Sequence, residues 1–352
     1  MPTTLSDVAR RAGVSPMTVS NVINGKAGVR PVTRQRVLDA IEATGYRVNM
    51  LARALAGGRS RMITVFTPQL NRPYAAEVVH GAAQAAEVLG YDLVVMMLGE
   101  HTFTDLSVMT RLSSGALLIQ PSREGQWRRA DLPPHVISVD GPGERQLKVD
   151  NYGGAQLAMD HLMALGHTRI GFISGLESEG RRPSEPPTPN QLDRNDADER
   201  LRGYQDAMHR AGLPVPNGYI QHGDYSKASG ERAASALLRL KEPPTAVFVS
   251  GDAMALGAVH VAQDHGLSVP RDLSVVGFDD LPVAGASRPA LTTVRQPLQL
   301  MGQIAVQLLV GLANGQALAT PEPFPTELVV RESTAGPGVR PSGRRSGRQS
   351  PP

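Results

Sequence analysis

Along the first sixty residues, apolar positions recur at helical spacing. Leu5, Val8, Ala9 and Ala12 fall at i, i+3, i+4 and i+7, one stripe of a helix that Gly13 ends. Ser15 stands where it can cap a second helix, with Pro16 at the first position, where a missing N–H costs nothing. On that helix Val19, Val22 and Ile23 share one face, and Met17, Asn21 and Asn24 share another. A third helix is predicted from about Val32, with Val37, Ile41 and Thr44 inward and Gly45 as its C-cap. Asn49–Ala56 carries a last, short helical pattern closed by Gly57 and Gly58. Two helices joined by a short glycine-containing turn are the signature of a helix-turn-helix.

From residue 61 the pattern changes. Apolar runs of strand length (MITVF 62–66, DLVVMML, ALLIQ 116–120, VISVD 136–140) alternate with helical ones, and after Asn151 the alternation starts again. RIGFISG 169–175, TAVFVSGD and DLSVVGFDD are strand runs, with helices predicted at RLRGYQDAMHRAGL, 226–240 and 253–265. Such alternation predicts parallel sheets covered by helices on both faces. The restart reads as two similar α/β lobes, and the cleft between two lobes is the default place for a small ligand. Residues 177–198 are rich in Pro, Arg and acids and are expected to form a surface loop; 335–352 is expected to be a disordered basic tail.

Charge sharpens this division. The chain of 352 residues has a net charge of only +3, yet residues 1–60 carry nine Arg and Lys against three acids. The tail adds four arginines, so the body from 61 to 334 is acidic. A compact basic head on an acidic body is the charge pattern of a domain that meets a polyanion. There are no cysteines, which excludes disulfides, cysteine–zinc and iron–sulfur sites and thiol nucleophiles. The first residues have no basic segment followed by an apolar run, and no apolar run approaches the ~18–20 residues of a membrane span. The expectation is a cytoplasmic chain with no membrane partner.

The run Thr4-Leu-Ser-Asp-Val-Ala-Arg-Arg-Ala-Gly-Val-Ser-Pro-Met-Thr-Val-Ser-Asn-Val-Ile-Asn24 closely resembles the opening of the lactose-repressor (LacI/GalR) family of bacterial transcription regulators. The resemblance continues through Gly45-Tyr46, the LARALAG run, GYDLVV, LGHTRIGFISG, RLRGY, DAMALGA and DLSVVGFDD, and so spans residues 4–334. It implies a helix-turn-helix domain at 1–48, a hinge helix and linker at 49–59, and a body at 60–334 like periplasmic sugar-binding proteins. Lobe 1 is expected at about 60–151 plus 284–311, and lobe 2 at about 152–283 plus 315–334.

The resemblance also implies roles. Pro16, Met17 and Asn21 match the positions that read bases in the major groove, and Thr18, Ser20 and Asn24 are small polar groups suited to phosphates. Leu55 matches a leucine that wedges into the minor groove, with Ala52 on the same face and Asn49 starting the hinge helix. Val48 replaces the proline often found there, so entry to the hinge is less rigid. In the cleft, Arg200 matches the effector arginine, Asp279 the effector carboxylate and Tyr225 the aromatic that stacks on the effector; Tyr74 and Asp140 are expected from lobe 1. Galactoside-binding members carry Asn where this chain has Gly251 before Asp252, which argues against a galactoside.

The function expected is a repressor, a homodimer on a pseudo-palindromic stretch of double-stranded DNA, controlled by a small molecule, a sugar first and a nucleoside or nucleobase second. A solute-binding protein without regulatory DNA binding is the remaining alternative. No enzyme, cofactor or metal is expected: there is no HExxH, GxSxG or GxxxxGK[ST] pattern, and Asp279 and Asp280 are adjacent on a strand end, where side chains point apart.

Overall fold

A computed structural model describes residues 3–23, 25–46, 61–67, 70, 72–97, 113–119, 135–141, 144–175 and 196–338. The chain divides into two units between residues 60 and 61.

In the first unit, helices α1 (Leu5–Ala12), α2 (Pro16–Ile23) and α3 (Pro31–Thr44) follow the predicted stops. Thr4 and Asp7 form a reciprocal cap on α1, and Gly13 and Gly45 end α1 and α3 in the left-handed conformation. Ser15 Oγ accepts the Thr18 backbone N–H at 3.2 Å, as its place before Pro16 predicts. Val8, Ala9, Ala12, Val19, Val22, Val37 and Ala40 make one small core. The α2 C-terminus is tied from α3, where the Arg34 guanidinium donates to the Lys26 carbonyl at 3.0 Å and reaches that of Val22 at 3.5 Å.

The second unit is two-lobed. Its first sheet holds β1 (Met62–Thr67), β2 (Asp92–Met97), β3 (Gly115–Ile119), β4 (Val136–Val139) and β5 (Gln146–Leu147), all parallel, in the order 2-1-3-4-5. Its second sheet holds β6 (Ile170–Ser174), β7 (Ile220–His222), β8 (Ala246–Val249), β9 (Ser274–Asp279), β10 (Thr292–Arg295) and β11 (Glu327–Val329). Their order is 11-10-9-8-6-7, so counted from β6 the parallel strands repeat the 2-1-3-4-5 winding of the first sheet. The weak repeat in the sequence is thus a repeat of topology. One edge departs from the all-parallel expectation: β11 runs antiparallel to β10, as edge strands of doubly wound sheets often do.

The helices supply the cover. In the first lobe these are α4 (Pro73–Leu89) and, returning late in the chain, α10 (Leu298–Ala313), whose Leu298, Met301, Ala305 and Leu309 share a core with Ile63, Val65 and Leu117. In the second lobe α5 (Asn151–Ala164) and α6 (Asp196–Arg210) lie over a core of Met159, Phe172, Tyr204, Phe248 and Phe278. Helices α7 (Lys227–Leu238), α8 (Asp252–Asp264) and the short α9 (Pro282–Ala286) belong to another second-lobe core, with Leu237, Val249, Met254 and Ala284.

Two boundaries differ from expectation. Residues 284–311 are expected in lobe 1, but Ala284 packs in a lobe 2 core and Thr292–Arg295 pair with β9. The alternation of β10 is too short to mark its sheet, and the chain returns to lobe 1 only with α10. The loop expected over 177–198 is shorter at its end, since α6 begins at Asp196. Asp196 and Asp198 read as loop polarity, yet with Glu199 they are acids of a first turn, which favour the helix dipole.

Candidate effector cleft and DNA-reading helix

On α2 the buried face is Val19 and Val22. The other face presents Pro16 and Met17, the latter 69% exposed, with Thr18, Ser20 and Asn21 half-buried. Thr18 Oγ1 lies 3.0 Å from Ser15 Oγ, so its hydroxyl takes part in the cap. The rigid, buried face fixes the helix, and the expected base-reading side chains stand on the face that the core does not use. Asn24, Asn49, Ala52 and Leu55, and most of the expected surface loop and tail, lie outside the described residues.

In the body, ligands of doubly wound sheets lie beyond the carboxyl ends of the strands, where the winding reverses. In lobe 2 that reversal falls between β6 and β8, whose carboxyl ends lead into Gly175 and Gly251. The Tyr225 ring lies across both ends: a Cβ at Gly251 would stand 3.2 Å from its Cδ1, and one at Gly175 would collide with its hydroxyl end. Two glycines thus make room for one aromatic ring. A cleft of about 380 Å³ opens there, lined by Tyr225, Arg200, Asp279 and Gly251 from lobe 2 and by Arg72, Pro73 and Tyr74 at the α4 N-terminus of lobe 1. Its size suits a small organic solute.

Arg200 is 3% exposed and held on several sides. Its guanidinium lies 3.8 Å over the centre of the Phe278 ring, Nε donates to Asn151 Oδ1 at 2.8 Å, and Nη1 donates to the Ser250 carbonyl at 2.5 Å. Asp279 Oδ1 lies 4.0 Å from Nη1 and accepts the Gln296 amide at 2.6 Å. Burial pushes the Asp279 carboxyl up to about 7, against the pull of Arg200 and the Gln296 amide. Burial works against the Arg200 charge, but Tyr225, Asp279, Asp196 and Asp140 together outweigh it and raise its pKa. The neighbouring Asp280 turns away, into ion pairs with Arg295 at 2.7 Å and Arg331 at 2.6 Å.

From lobe 1, the Tyr74 hydroxyl donates to Asp140 Oδ2. Burial, then Asp196, pushes the Asp140 carboxyl well above the usual range; burial, then Asp140, does the same to the Tyr74 phenol. Asp140 itself is not among the lining residues and meets the cleft through Tyr74. Asp140, Tyr225, Asp279 and Asp280 are the non-glycine residues with positive φ among those described, at 50°, 62°, 118° and 57°. Such backbones cost about 1–3 kcal/mol each and gather at functional sites.

The five residues expected around an effector are therefore brought together, four on the cleft wall and Asp140 behind Tyr74. Asp196, Asp224, Ser226 and Lys227 also line the cleft, unforeseen. Asp196 falls in the stretch that reads as loop; Ser226, the first residue of the 226–240 helical pattern, caps α7. Among the described residues no helix is long and apolar enough to cross a membrane.

A helix-turn-helix unit followed by a two-lobed, ligand-cleft body is the architecture of a ligand-controlled DNA-binding regulator. Residues 4–49 match the bacterial regulatory proteins of the lacI family, and residues 159–334 match the periplasmic binding protein-like domain. The HTH-type transcriptional repressor CytR of Escherichia coli strain K12 is 35% identical over 343 residues, covering 94% of this chain and 96% of CytR. Among solved structures, the lac repressor dimer bound to operator and the anti-inducer ONPF is similar at a TM-score of 0.78 and 29% identity, covering 95% and 100% of the two chains. The transcriptional regulator CelR–cellobiose complex is similar at a TM-score of 0.65 and 31% identity, covering 94% and 99%. The chain belongs to the lacI family of bacterial transcriptional regulators. It is a sequence-specific DNA-binding regulator, allosterically controlled by a small-molecule ligand, in a family that binds DNA as dimers.

Proposed function

We propose that the chain is a repressor whose homodimer grips a pseudo-palindromic operator according to whether a carbohydrate occupies the cleft. Pro16, Met17 and Asn21 read base edges; Thr18, Ser20 and Asn24 contact phosphates; and Leu55, with Ala52 and Asn49, forms the minor-groove element. Arg200 and Asp279 orient the effector, Tyr225 stacks on it, and Tyr74, backed by Asp140, closes on it from lobe 1.

The observation that carries the carbohydrate is the arrangement of Arg200 beside Asp279 over a Tyr225 floor. A carboxylate accepts two vicinal hydroxyls, a guanidinium donates to ring and hydroxyl oxygens, and an aromatic face suits the C–H face of a pyranose. Asp140 Oδ1, Ser250 Oγ and Gln296 Oε1 are buried without a hydrogen-bond partner among the described residues. Each belongs to a residue bonded to Tyr74, Arg200 or Asp279. The likeness to the repressor CytR supports repression, and the likeness to the CelR–cellobiose complex supports a carbohydrate. A nucleoside is the second reading, favoured by tyrosines on the cleft wall from both lobes, Tyr74 and Tyr225.

The test begins with selection of DNA bound by the full-length chain from a random pool at physiological salt, since such affinity is steeply salt-dependent. Anisotropy of the enriched duplex is then followed while glucose, maltose, cellobiose, cytidine and adenosine are added. A sugar that shifts operator affinity about fivefold or more supports the reading. A shift by a nucleoside alone replaces it with the second.

A further inference from the structure

The body chain passes between its lobes after β5, after β10 and before β11, where Phe324 bridges to Val149. Two of these crossings carry a buried side-chain amide. Asn151, the first residue of α5, is 1% exposed; Gln296, between β10 and α10, is 4% exposed. We propose that Asn151 and Gln296 are positioning residues that tie the cleft to the lobe arrangement, each fixing one charged cleft residue to one crossing.

The bonds make the tie. Asn151 Oδ1 accepts Arg200 Nε–H at 2.8 Å, and Asn151 Nδ2 donates to Asp196 Oδ1 at 3.1 Å. Two residues earlier Val149 sits in the first-lobe core, so Asn151 stands between that core and the Arg200 guanidinium. Gln296 Nε2 donates to Asp279 Oδ1 at 2.6 Å, and its backbone N–H donates to the Asp279 carbonyl at 3.3 Å. Two residues later Leu298 enters the first-lobe core with α10. An amide can donate and accept at once, and it carries no charge. Asn151 can therefore satisfy a guanidinium and a carboxylate together without adding to the aspartates already gathered there.

A change of lobe angle turns the backbone at the crossings, and with it Asn151 and Gln296. Arg200 and Asp279 must follow or lose their partners. By linkage, whatever binds Arg200 and Asp279 biases the crossings. The coupling rests on the cleft being the effector site, but it also sets the lobe arrangement of the ligand-free protein, and that is where it is tested.

The experiment measures affinity of the ligand-free, full-length chain for its selected operator duplex, with melting by circular dichroism to establish folding. Asn151→Asp keeps the acceptor for Arg200 but sets a carboxylate against Asp196, and is expected to weaken operator binding about fivefold or more. Combining Asn151→Asp with Asp196→Asn exchanges donor and acceptor at unchanged total charge, and is expected to restore affinity to within about twofold of the original. Loss of packing alone would lower the melting temperature without following this swap. Gln296→Leu tests the second crossing independently and is expected to weaken binding by a similar factor. Folded single variants that bind operator like the original chain, or a double variant no better than Asn151→Asp, overturn the proposal. Should Asn151→Asp not fold, unchanged operator affinity in Gln296→Leu does so. A mistaken effector changes none of these outcomes.

Discussion

Met17 stands 69% exposed on a helix whose other face is sealed, whereas Arg200 is 3% exposed and bound by a ring, an amide and a carbonyl. Both are expected to recognise a partner, and the difference follows from what each partner brings. DNA brings a long surface with its own charges, so a rigid helix with ready side chains suffices, the phosphates supplying register. A small solute brings few contacts, and its site must be organised beforehand or ordering consumes the binding energy. Stability and recognition should therefore be separable in the head and inseparable in the cleft.

Arg200→Ala should break the comparison most visibly. It leaves Asp279, Asp196 and the Asn151 acceptor facing each other without a cation. Removing one partner of a buried ion pair costs about 3–5 kcal/mol. At about 2–4 °C per kcal/mol for a domain of this size, the body should melt roughly 6–20 °C lower. Arg200→Lys should recover little, since an ammonium cannot lie flat on Phe278 and bridge Asn151 to Ser250. A body that melts unchanged would mean that the cleft residues are as independent as those of the head.

Asn21→Ala, by contrast, should leave melting unchanged and act only on DNA. A lost base contact is worth about 1–3 kcal/mol of discrimination, so the ratio of operator to nonspecific affinity should fall roughly 5- to 150-fold. Competition binding with an unrelated duplex reads that ratio directly. Equal loss on both duplexes would move Asn21 from base reading to phosphate contact.

The same contrast explains what the sequence could reveal. Helix boundaries in the head are written locally, in Ser15, Gly13 and Gly45, and the structure follows them. The strand runs and their restart at Asn151 are legible because parallel strands are apolar along their whole length. Membership of β10 in the second sheet is not legible, because four residues cannot say which sheet they join. Arg200, Asp279 and Tyr225 were reached by resemblance, and Tyr74 and Asp140 only as first-lobe expectations. Nothing local in the sequence says that Phe278 lies under a guanidinium or that Asn151 reaches Arg200 across 49 positions. Contacts of that separation are fixed by packing, not by pattern.

The pH dependence of the cleft sharpens the comparison further. With Asp279 titrating at about 7, the ionised, doubly accepting form fills between pH 6 and 8. Effector affinity should rise over that interval by up to about tenfold, the value of one pKa unit of differential binding, and Asp279→Asn should weaken and flatten the profile. Stability runs the other way. A carboxyl raised above its unfolded value favours the fold most below pH 4, and that contribution is lost as pH rises to about 7. Asp279→Asn should therefore melt a few degrees above the original chain at pH 8, while responding less to ligand. A variant that melts lower at pH 8 would show that its charge, paired with Arg200, is a net support.

His167 provides the smallest effect and the control. It is 2% exposed at the base of the second lobe, with Nε2 donating to the Ala335 carbonyl at 2.8 Å and Nδ1 lying 2.9 Å from the Thr245 hydroxyl oxygen. Burial, opposed by the bond to the Ala335 carbonyl, lowers its pKa below 6.5 and so favours the neutral ring. A depressed histidine contributes stability that is complete above its unfolded pKa and lost as pH falls below it. Melting should therefore drop by about 2–4 °C for each kcal/mol lost between pH 6.5 and 5, and His167→Gln should show a shallower slope. Its pH response is opposite in sign to that of Asp279, so melting curves across pH 5–8 separate the two. Because His167 touches no cleft residue, effector affinity at pH 7 should be the same in His167→Gln. A changed affinity there would extend the preorganised network from the cleft to the base of the lobe.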